Sequence, residues 1–225
     1  MRLDPRLSLA FDLYEDCDLA ADIGTDHAHL PAALLRAGKC RRMILTDVSE
    51  SALRNAKSNV ARAGLSDRVE FRLGDGLQVL REPCAMISVL GMGGRTIRDI
   101  LLGGTNRLCG ASLLLSAHTD LPLVREAVAA VGYHLVSETP CFDSGRHYLL
   151  LKALPGPEEL SPREIRLGKP LFRSDSPDLI PYLTHRQEVL EDKLRGLLRS
   201  ADRNAEEIAV LESDLRYLRQ FTEPV

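Results

Sequence analysis

Hydrophobic and polar positions follow two different periods along the first two thirds of the chain. Short apolar runs that end near glycine or aspartate predict buried strands at 18–24, 42–46, 69–73, 85–90 and 112–116. The segments between them predict helices at 3–14, 29–37, 50–63, 95–102 and 121–131. Because strand and helix alternate, we predict an α/β fold with a parallel sheet that is covered on both faces.

Two further strands are predicted at 133–138 and 146–152, with Asp143-Ser144-Gly145 as the turn between them. Strands that are joined by so short a turn pair in antiparallel fashion. We therefore expect the mostly parallel sheet to carry one antiparallel edge hairpin.

The pattern changes after Lys152, where six prolines interrupt residues 155–181. Beyond them, apolar residues recur at steps of three and four: Leu190, Leu194, Leu197, Ala201, Ile208, Leu211, Leu215 and Leu218. This spacing is typical of a coiled coil. One long helix satisfies it, but we favour an antiparallel hairpin broken near 200–203, because Asn204 and Glu207 resemble a capping box. The predicted domains are 1–154 and 155–225.

The composition is that of a globular protein and excludes several classes. The chain has 225 residues, of which 44% are hydrophobic and 27% charged, so neither a disordered chain nor a disulfide-stapled miniprotein is expected. A net charge of −3 argues against polybasic nucleic-acid binding but leaves room for a local patch. The five cysteines include no CxxC, which argues against a zinc site. No apolar run reaches the length of a membrane span and no signal peptide is visible, so we expect a cytoplasmic protein.

Polar residues follow the predicted strands where open parallel sheets bind ligands, at the carboxyl ends. The first strand leads into Asp22-Ile23-Gly24-Thr25-Asp26-His27, the second into Asp47, the third into Asp75-Gly76, and the fourth into Gly91–Gly94. Asp47 lies 23 residues after Gly24, a spacing at which a carboxylate accepts hydrogen bonds from ribose hydroxyls. Asp75 is a candidate acceptor for an adenine amino group.

The first loop also indicates which nucleoside cofactor to expect. Neither GxGxxG nor GxxxxGK[ST] is present. A loop with one glycine and an aspartate suits a cationic sulfonium better than a pyrophosphate. We therefore predict S-adenosyl-L-methionine. The alternatives are a simple turn at Gly24, a helix cap at Asp47 and a packing loop at Gly91–Gly94.

Two other clusters of residues allow different functions. Asp26, His27 and His29 form D-H-x-H, which would suit a metal-dependent hydrolase, but no further ligand set lies nearby and we predict no metal. Arg36, Arg41 and Arg42 are candidate contacts for RNA phosphates, with a solvated surface as the alternative. His118 follows the fifth strand and is a candidate for the cleft.

The chain resembles the bacterial tRNA (adenine-22 N1)-methyltransferases. The resemblance rests on Ala21–Ala28 with Leu30-Pro31, on Gly74–Leu77, on Gly91–Gly94 and on 143–148, and it covers nearly the whole chain. It implies a Rossmann-like class I methyltransferase sheet, a C-terminal helical coiled-coil domain, and methylation of N1 of an adenine in tRNA. Ser116-Ala117-His118 departs from the Gln-Pro-Asn of the family, and His29 replaces a Tyr.

The strand-end residues and the resemblance together give a set of predicted roles. Asp26 and His118 are the catalytic candidates. Cofactor contacts are expected from Asp22, Gly24, Thr25, Asp26, His27, Asp47, Val48, Asp75, Gly76, Gly91, Met92, Gly93 and Gly94. The predicted RNA contacts are Arg6, Arg36, Arg41, Arg42, Arg95, Arg186 and Arg195.

The rival hypothesis is a catalytically weak RNA-binding or scaffold protein that keeps the cofactor fold. We expect a monomer, with dimerisation through the C-terminal coil as the alternative, and we expect a chain truncated after Pro155 to bind cofactor without methylating tRNA.

Overall fold

A computed structural model describes residues 3–200 and 204–223. Seven strands form one sheet: β1 (Cys17–Ile23), β2 (Cys40–Asp47), β3 (Val69–Leu73), β4 (Met86–Met92), β5 (Ser112–Ala117), β6 (Tyr133–Asp143) and β7 (Arg146–Pro155). Their order across the sheet is β3-β2-β1-β4-β5-β7-β6. The first five strands pair in parallel, and β7 pairs antiparallel with both β5 and β6. The predicted parallel sheet and its antiparallel hairpin are confirmed.

Five helices accompany the sheet within residues 3–154: α1 (Pro5–Leu13), α2 (His29–Ala37), α3 (Glu50–Arg62), α4 (Gly94–Gly103) and α5 (Leu121–Ala130). Apolar side chains of the sheet face two separate hydrophobic clusters. Ala20 and Leu45 belong to one, and Ala21 and Ile44 to the other. Since successive residues of a strand face opposite sides, this split shows that both faces of the sheet are buried.

The hairpin strands are longer than the sequence pattern predicts, since β6 runs five residues further and β7 three. The structure also contains a short helix, α6 (Pro162–Leu167), that the apolar periodicity does not predict. The Ser161 hydroxyl accepts a hydrogen bond from the Glu164 amide, and the Glu164 carboxylate accepts one from the Ser161 amide. These two bonds form a capping box within the proline-rich segment. Pro162 stands at the start of α6, where a proline is well tolerated.

Two long helices, α7 (Leu179–Arg199) and α8 (Ala205–Thr222), complete the chain. They run antiparallel, because Gln187 bonds Thr222 at 2.9 Å near the base and Lys193 contacts Glu207 at 2.8 Å nearer the turn. Two helices rather than one long helix are therefore present, while coiled-coil packing stays a prediction. Residues 201–203, which contain most of the predicted break between the helices and Ala201 of the predicted apolar positions, lie outside the described residues.

The start of α8 departs in one detail from the predicted capping box. The Asn204 side chain accepts a hydrogen bond from the Glu207 amide at 3.1 Å, as predicted. The Glu207 carboxylate does not return it, since it pairs with Lys193. Only half of the capping box is formed, because the neighbouring helix offers a charged partner.

The base of the C-terminal pair packs against the sheet domain. Leu183 of α7 and Leu218 of α8 belong to the same hydrophobic cluster as the sheet, as do Leu167 and Leu171 in the connecting segment. Arg125 of α5 and Glu138 of β6 form a buried ion pair at 2.7 Å, and Arg125 also donates to the carbonyl oxygens of residues 165 and 166. The connecting segment is thus tied to the sheet. Within 3–200 and 204–223, no helix is long and apolar enough to cross a membrane.

Candidate active site

The strand order reverses between β1 and β4, which lie side by side in the middle of the sheet. Ligands of open α/β sheets bind at such a point, beyond the carboxyl ends of the strands. Here the loops that follow β1 and β4 border a cavity of about 310 Å³. The predicted site residues in its lining are Arg6, Asp22, Gly24, Thr25, Asp26, His27, Gly91 and His118.

The loop after β1 needs glycine at position 24. Gly24 has φ = +78°, a backbone conformation that side chains disfavour. A Cβ atom there would lie 1.9 Å from Cε of Met92, so the two loops approach each other directly. The Gly24 and Thr25 amides donate to the Thr46 carbonyl oxygen at 2.8 and 2.9 Å, which ties the loop to the end of β2.

Gly94 fixes the second loop against the end of the next strand. A Cβ atom at this position would lie 2.4 Å from the carbonyl oxygen of Asp120, and the Gly94 amide donates to the Thr119 carbonyl oxygen at 3.0 Å. Because backbone cannot move aside as a side chain can, only glycine fits here. Within the Gly91–Gly94 loop, Gly94 therefore packs against the backbone of Thr119 and Asp120, whereas Gly91 lines the cavity.

Asp22 is held by a chain of hydrogen bonds that sequence reasoning missed. The Tyr14 hydroxyl donates to Ser88 Oγ at 2.8 Å, and Ser88 Oγ donates to Asp22 Oδ1 at 2.6 Å. All three side chains are buried. Burial raises the pKa of Asp22, and the bond from Ser88 opposes that rise. A serine inside the apolar run 86–90 was the signal that a polar partner had to lie on the neighbouring strand.

Asp26 and His27 project from the same loop into solvent. Asp26 Oδ2 lies 3.1 Å from His27 Nε2, and the two side chains are 61% and 54% exposed. The Asn59 amide group donates to the His27 carbonyl oxygen at 2.9 Å, which holds the loop against α3. The Asp26 carboxylate is therefore open to an incoming substrate and is presented by an anchored backbone.

His118 reaches the cavity from the end of β5. An added Cβ on Gly91 would lie 3.7 Å from His118 Nε2 and 3.5 Å from Arg6 Nη1, so both side chains lie over Gly91. The His118 ring packs edge-on against Tyr148, and the Arg6 guanidinium lies over the same tyrosine at 5.3 Å. Ser116 is buried. Of the three residues that depart from the family pattern, His118 is the one that lines the cavity.

The remaining predicted cofactor residues lie along the same edge but outside this cavity. Asp47 follows β2, where its Oδ1 accepts from the Ser49 amide at 2.7 Å, and Val48 is 70% exposed. Asp75 and Gly76 line a separate cavity of about 170 Å³ beside α4. The Gly74 amide donates to the Asp47 carbonyl oxygen at 3.0 Å, which links the ends of β2 and β3.

The predicted RNA contacts do not form one surface. Arg6 lines the cavity and Arg95 is exposed in the first turn of α4. Arg41 and Arg42 lie at the start of β2, about 20 Å from Asp47 at the other end of the strand if each residue spans ~3.3 Å. Arg36 is exposed in the last turn of α2, which leads into that same start of β2.

On α7, Arg186 is half-buried, whereas Arg195 is exposed and pairs with Asp192. Of the seven, Arg6 lines the cavity and Arg95 follows the loop after β4, and RNA binding by the set as a whole stays a prediction.

The D-H-x-H cluster offers no metal geometry. The rings of His27 and His29 stack, with centroids 5.5 Å apart. In the described part of the chain, no group of three or more His, Cys, Asp or Glu side chains is arranged to hold a metal ion. The metal-dependent hydrolase therefore has no support from the side-chain arrangement.

Comparison with known proteins identifies the family. The family described as "Methyltransferase domain" matches residues 3–151, more than half of the chain. The chain belongs to this methyltransferase family. The match ends within β7, so it covers the sheet and its five helices but not the C-terminal helices of this methyltransferase.

Relatives of this methyltransferase confirm the predicted resemblance. The tRNA (adenine(22)-N(1))-methyltransferase of Bacillus subtilis (strain 168) is 31% identical over 158 residues, which span 69% of this chain and 66% of that relative. A Streptococcus pneumoniae structure, described as a candidate tRNA (m1A22) methyltransferase, is 28% identical with a TM-score of 0.87 and covers 99% of this chain and 100% of its own. Its complex with S-adenosyl-L-methionine is 27% identical, with a TM-score of 0.85 and the same coverage of both chains.

Proposed function

We propose that this protein transfers the methyl group of S-adenosyl-L-methionine to N1 of an adenine in tRNA, adenine 22 by its relatives. The observation that carries the proposal is the cavity at the switch point, which brings Asp26 and His118 together with the loops after β1 and β4. The relatives named above bear the same activity in their descriptions. The family therefore supports methyl transfer, and the relatives support tRNA as the substrate.

The residues around the cavity fit the cofactor. Carboxylates, rather than a cluster of basic side chains, stand at the ends of β1 and β2, as a sulfonium and a ribose require. The second Asp47 oxygen, Oδ2, has no hydrogen-bond partner in the described protein, so it is free to accept from a ribose hydroxyl. Gly24 lets the backbone come close to a ligand, since it carries no side chain. When bound, the cofactor supplies an activated methyl group.

The chain itself contributes position and charge. Adenine N1 is a neutral lone-pair nucleophile, so no strong base is needed, and the N1–methyl bond forms as the sulfur–methyl bond breaks. Positive charge then passes to the adenine ring. A carboxylate that accepts from the N6 amine stabilises that charge, and Asp26 is our candidate. His118, on the other side of the cavity, is positioned to orient the base. Because N1 is paired or stacked in folded tRNA, the adenine has to leave the stack.

One experiment tests the proposed function directly. Unmodified tRNA is incubated with the protein and S-adenosyl-L-methionine, digested to nucleosides, and analysed by mass spectrometry. We expect 1-methyladenosine, mapped to position 22 by sequencing of the product. Absence of methylated adenosine, with the cofactor bound and the tRNA bound, would favour the rival RNA-binding protein.

Asp47→Ala is expected to weaken cofactor binding. The substitution leaves ribose hydroxyls without an acceptor, which costs about 1–3 kcal/mol, or roughly 5- to 150-fold in Kd. Calorimetric titration with S-adenosyl-L-methionine measures the change. Asp18→Ala is the matched control, because Asp18 is 82% exposed at the other edge of the sheet. An unchanged Kd in Asp47→Ala would remove Asp47 from the site.

We further propose that the chain divides into a cofactor domain (1–154) and a helical domain (155–225) whose α7–α8 pair extends the tRNA-binding surface. The packing of Leu183 and Leu218 against the sheet makes truncation after Pro155 a poor test, since it would strip the core of apolar side chains. Shortening the free end of the pair avoids this. Lys193 and Glu207 are in contact, so a glycine-rich turn in place of residues 194–206 joins the helices there.

The shortened protein is expected to keep its cofactor affinity while its KM for tRNA rises about tenfold or more, the equivalent of ~1.4 kcal/mol of lost binding. The deleted tip contains Arg195, Arg199 and Arg203. Steady-state methylation at varied tRNA concentration measures the effect. An unchanged KM together with loss of a dimer on gel filtration would assign the pair to dimerisation instead.

A further inference from the structure

We propose that the tip of the β6–β7 hairpin, together with α7, forms a platform on which a tRNA nucleobase next to the methylated adenine stacks. The platform consists of Phe142, His147 and His185. It rests on the proposed function, because its ligand is the same tRNA.

Phe142 stands out in a chain that is poor in aromatic residues. The protein has five Phe, five Tyr and no Trp, and all ten rings lie within the described residues. Phe142 is the one exposed ring among them, at 47%. Exposing a large aromatic surface to water costs free energy that burial would recover. Its position at a surface tip therefore indicates a binding role.

The three rings form one aromatic cluster in which one pair is stacked. Phe142 and His147 face each other across the hairpin with centroids 4.8 Å apart and planes tilted by 55°. His147 and His185 are also 4.8 Å apart, and they stack, since their planes differ by 18°. Burial, with His185 as a further cause, lowers the pKa of His147 and favours its neutral ring. Both outer members of the cluster, Phe142 and His185, are about half exposed.

The platform lies at the same end of the sheet as the cavity of the proposed reaction. Leu115 of β5 pairs with Leu151, so the hairpin strands continue past the end of β5 toward the turn. At ~3.3 Å per residue, Arg146 lies roughly 10 Å beyond the edge at which β5 ends. Tyr148 contacts His118 and Arg6 of the cavity, and it lies on the opposite face of β7 from His147. The hairpin tip therefore stands between the cavity and the platform.

The tip is held in place, and an exposed arginine stands at its turn. The Phe142 amide donates to Asp178 Oδ2 at 3.0 Å, just before α7, so hairpin and helix are joined at two points. Arg146 is exposed at the turn, whereas the carboxylates of Asp178 and Glu188 lie near His147. The match to a nucleobase therefore rests on the preformed aromatic surface rather than on charge, because every base has a face that stacks.

The test uses the full chain saturated with S-adenosylhomocysteine and an unmodified tRNA. Phe142→Leu keeps an apolar side chain but removes the ring, and His185→Ala removes the ring at the other end of the cluster. Both are expected to raise the Kd for tRNA about 5- to 150-fold, the range for loss of one base–aromatic contact. Phe142→Tyr should restore binding. Cofactor affinity should not change, because neither side chain lines the cavity.

Two controls make the outcome specific. Leu102→Ala removes an equally exposed apolar side chain, 48% exposed on α4, and should leave tRNA binding unchanged. A tRNA that carries 2-aminopurine beside adenine 22 should lose fluorescence on binding wild type by stacking, and should lose less on binding Phe142→Leu.

The failures are distinguishable. Unchanged tRNA Kd in both Phe142→Leu and His185→Ala would overturn the platform while wild-type methylation stood. A change in oligomeric mass for Phe142→Leu, without a change in tRNA Kd, would overturn it too and would assign the tip to a second copy of the chain. Absence of 1-methyladenosine with the wild-type protein would overturn the proposed function, and the binding assay would still decide the platform.

Discussion

Asp26→Asn is expected to lower kcat for tRNA methylation by about 100-fold, the lower end of the effect of removing one electrostatic stabiliser. The amide keeps the size of the side chain and removes its negative charge. The charge matters most once the adenine ring has become positive, so the loss falls on the transition state rather than on binding. Asp26 suits this role because it lines the cavity and its carboxylate is exposed.

Single-turnover methylation at saturating tRNA measures the rate, and calorimetry measures the cofactor Kd, which should stay nearly constant. Asp67→Asn is the control, because Asp67 is also exposed but lies away from the cavity. Should cofactor binding collapse in Asp26→Asn while the rate at saturation survives, Asp26 would be a cofactor ligand and not a stabiliser of the methylated base.

Arg125→Ala is expected to destabilise the protein by about 3–5 kcal/mol, because it leaves the Glu138 carboxylate buried without its partner. Arg125 is 2% exposed and Glu138 is fully buried. Burial raises the pKa of Glu138, and Arg125 opposes that rise. Without Arg125 the pKa of Glu138 rises further, since only the hydrogen bond from the Leu171 amide still opposes the effect of burial. A carboxyl whose folded pKa lies above its unfolded value loses stability as pH increases, so the defect should be larger at pH 8 than at pH 5.

Urea unfolding at the two pH values measures the loss. Arg41→Ala is the control: it breaks an exposed pair with Asp18 and should cost less than about 1 kcal/mol. The double variant Arg125→Met with Glu138→Leu should recover much of the loss, since no buried charge remains. A small effect of Arg125→Ala at both pH values would mean that water reaches Glu138 in the folded protein.

The elements of the fold were largely predictable from the chain. The strands at 69–73 and 112–116 were placed within one residue, because an alternating pattern in the first and an apolar run in the second are local properties of the chain. The antiparallel hairpin followed from the short turn predicted at 143–145, although Asp143 belongs to β6 and pairs with Arg146, which leaves a turn of two residues. Helix α6 was missed although its capping box was visible, since the surrounding prolines obscured the pattern.

The family and the two loops that border the cavity were also predictable from the residues alone. Asp22–His27 and Gly91–Gly94 follow strands whose order puts them side by side, and the cavity forms where they meet. What local patterns determine is which face of each element is buried and where the backbone turns.

Which distant side chains meet is visible in the folded protein and not in any local pattern. Tyr14 and Ser88 are 74 positions apart, and their bond to Asp22 depends on the register of β1 against β4. The arginines at 41 and 42 lie at the far edge of the sheet, while Phe142 meets His147, which in turn stacks on His185 of α7. Such pairings depend on strand order and register, which arise from packing of the whole chain and leave no local period in the sequence.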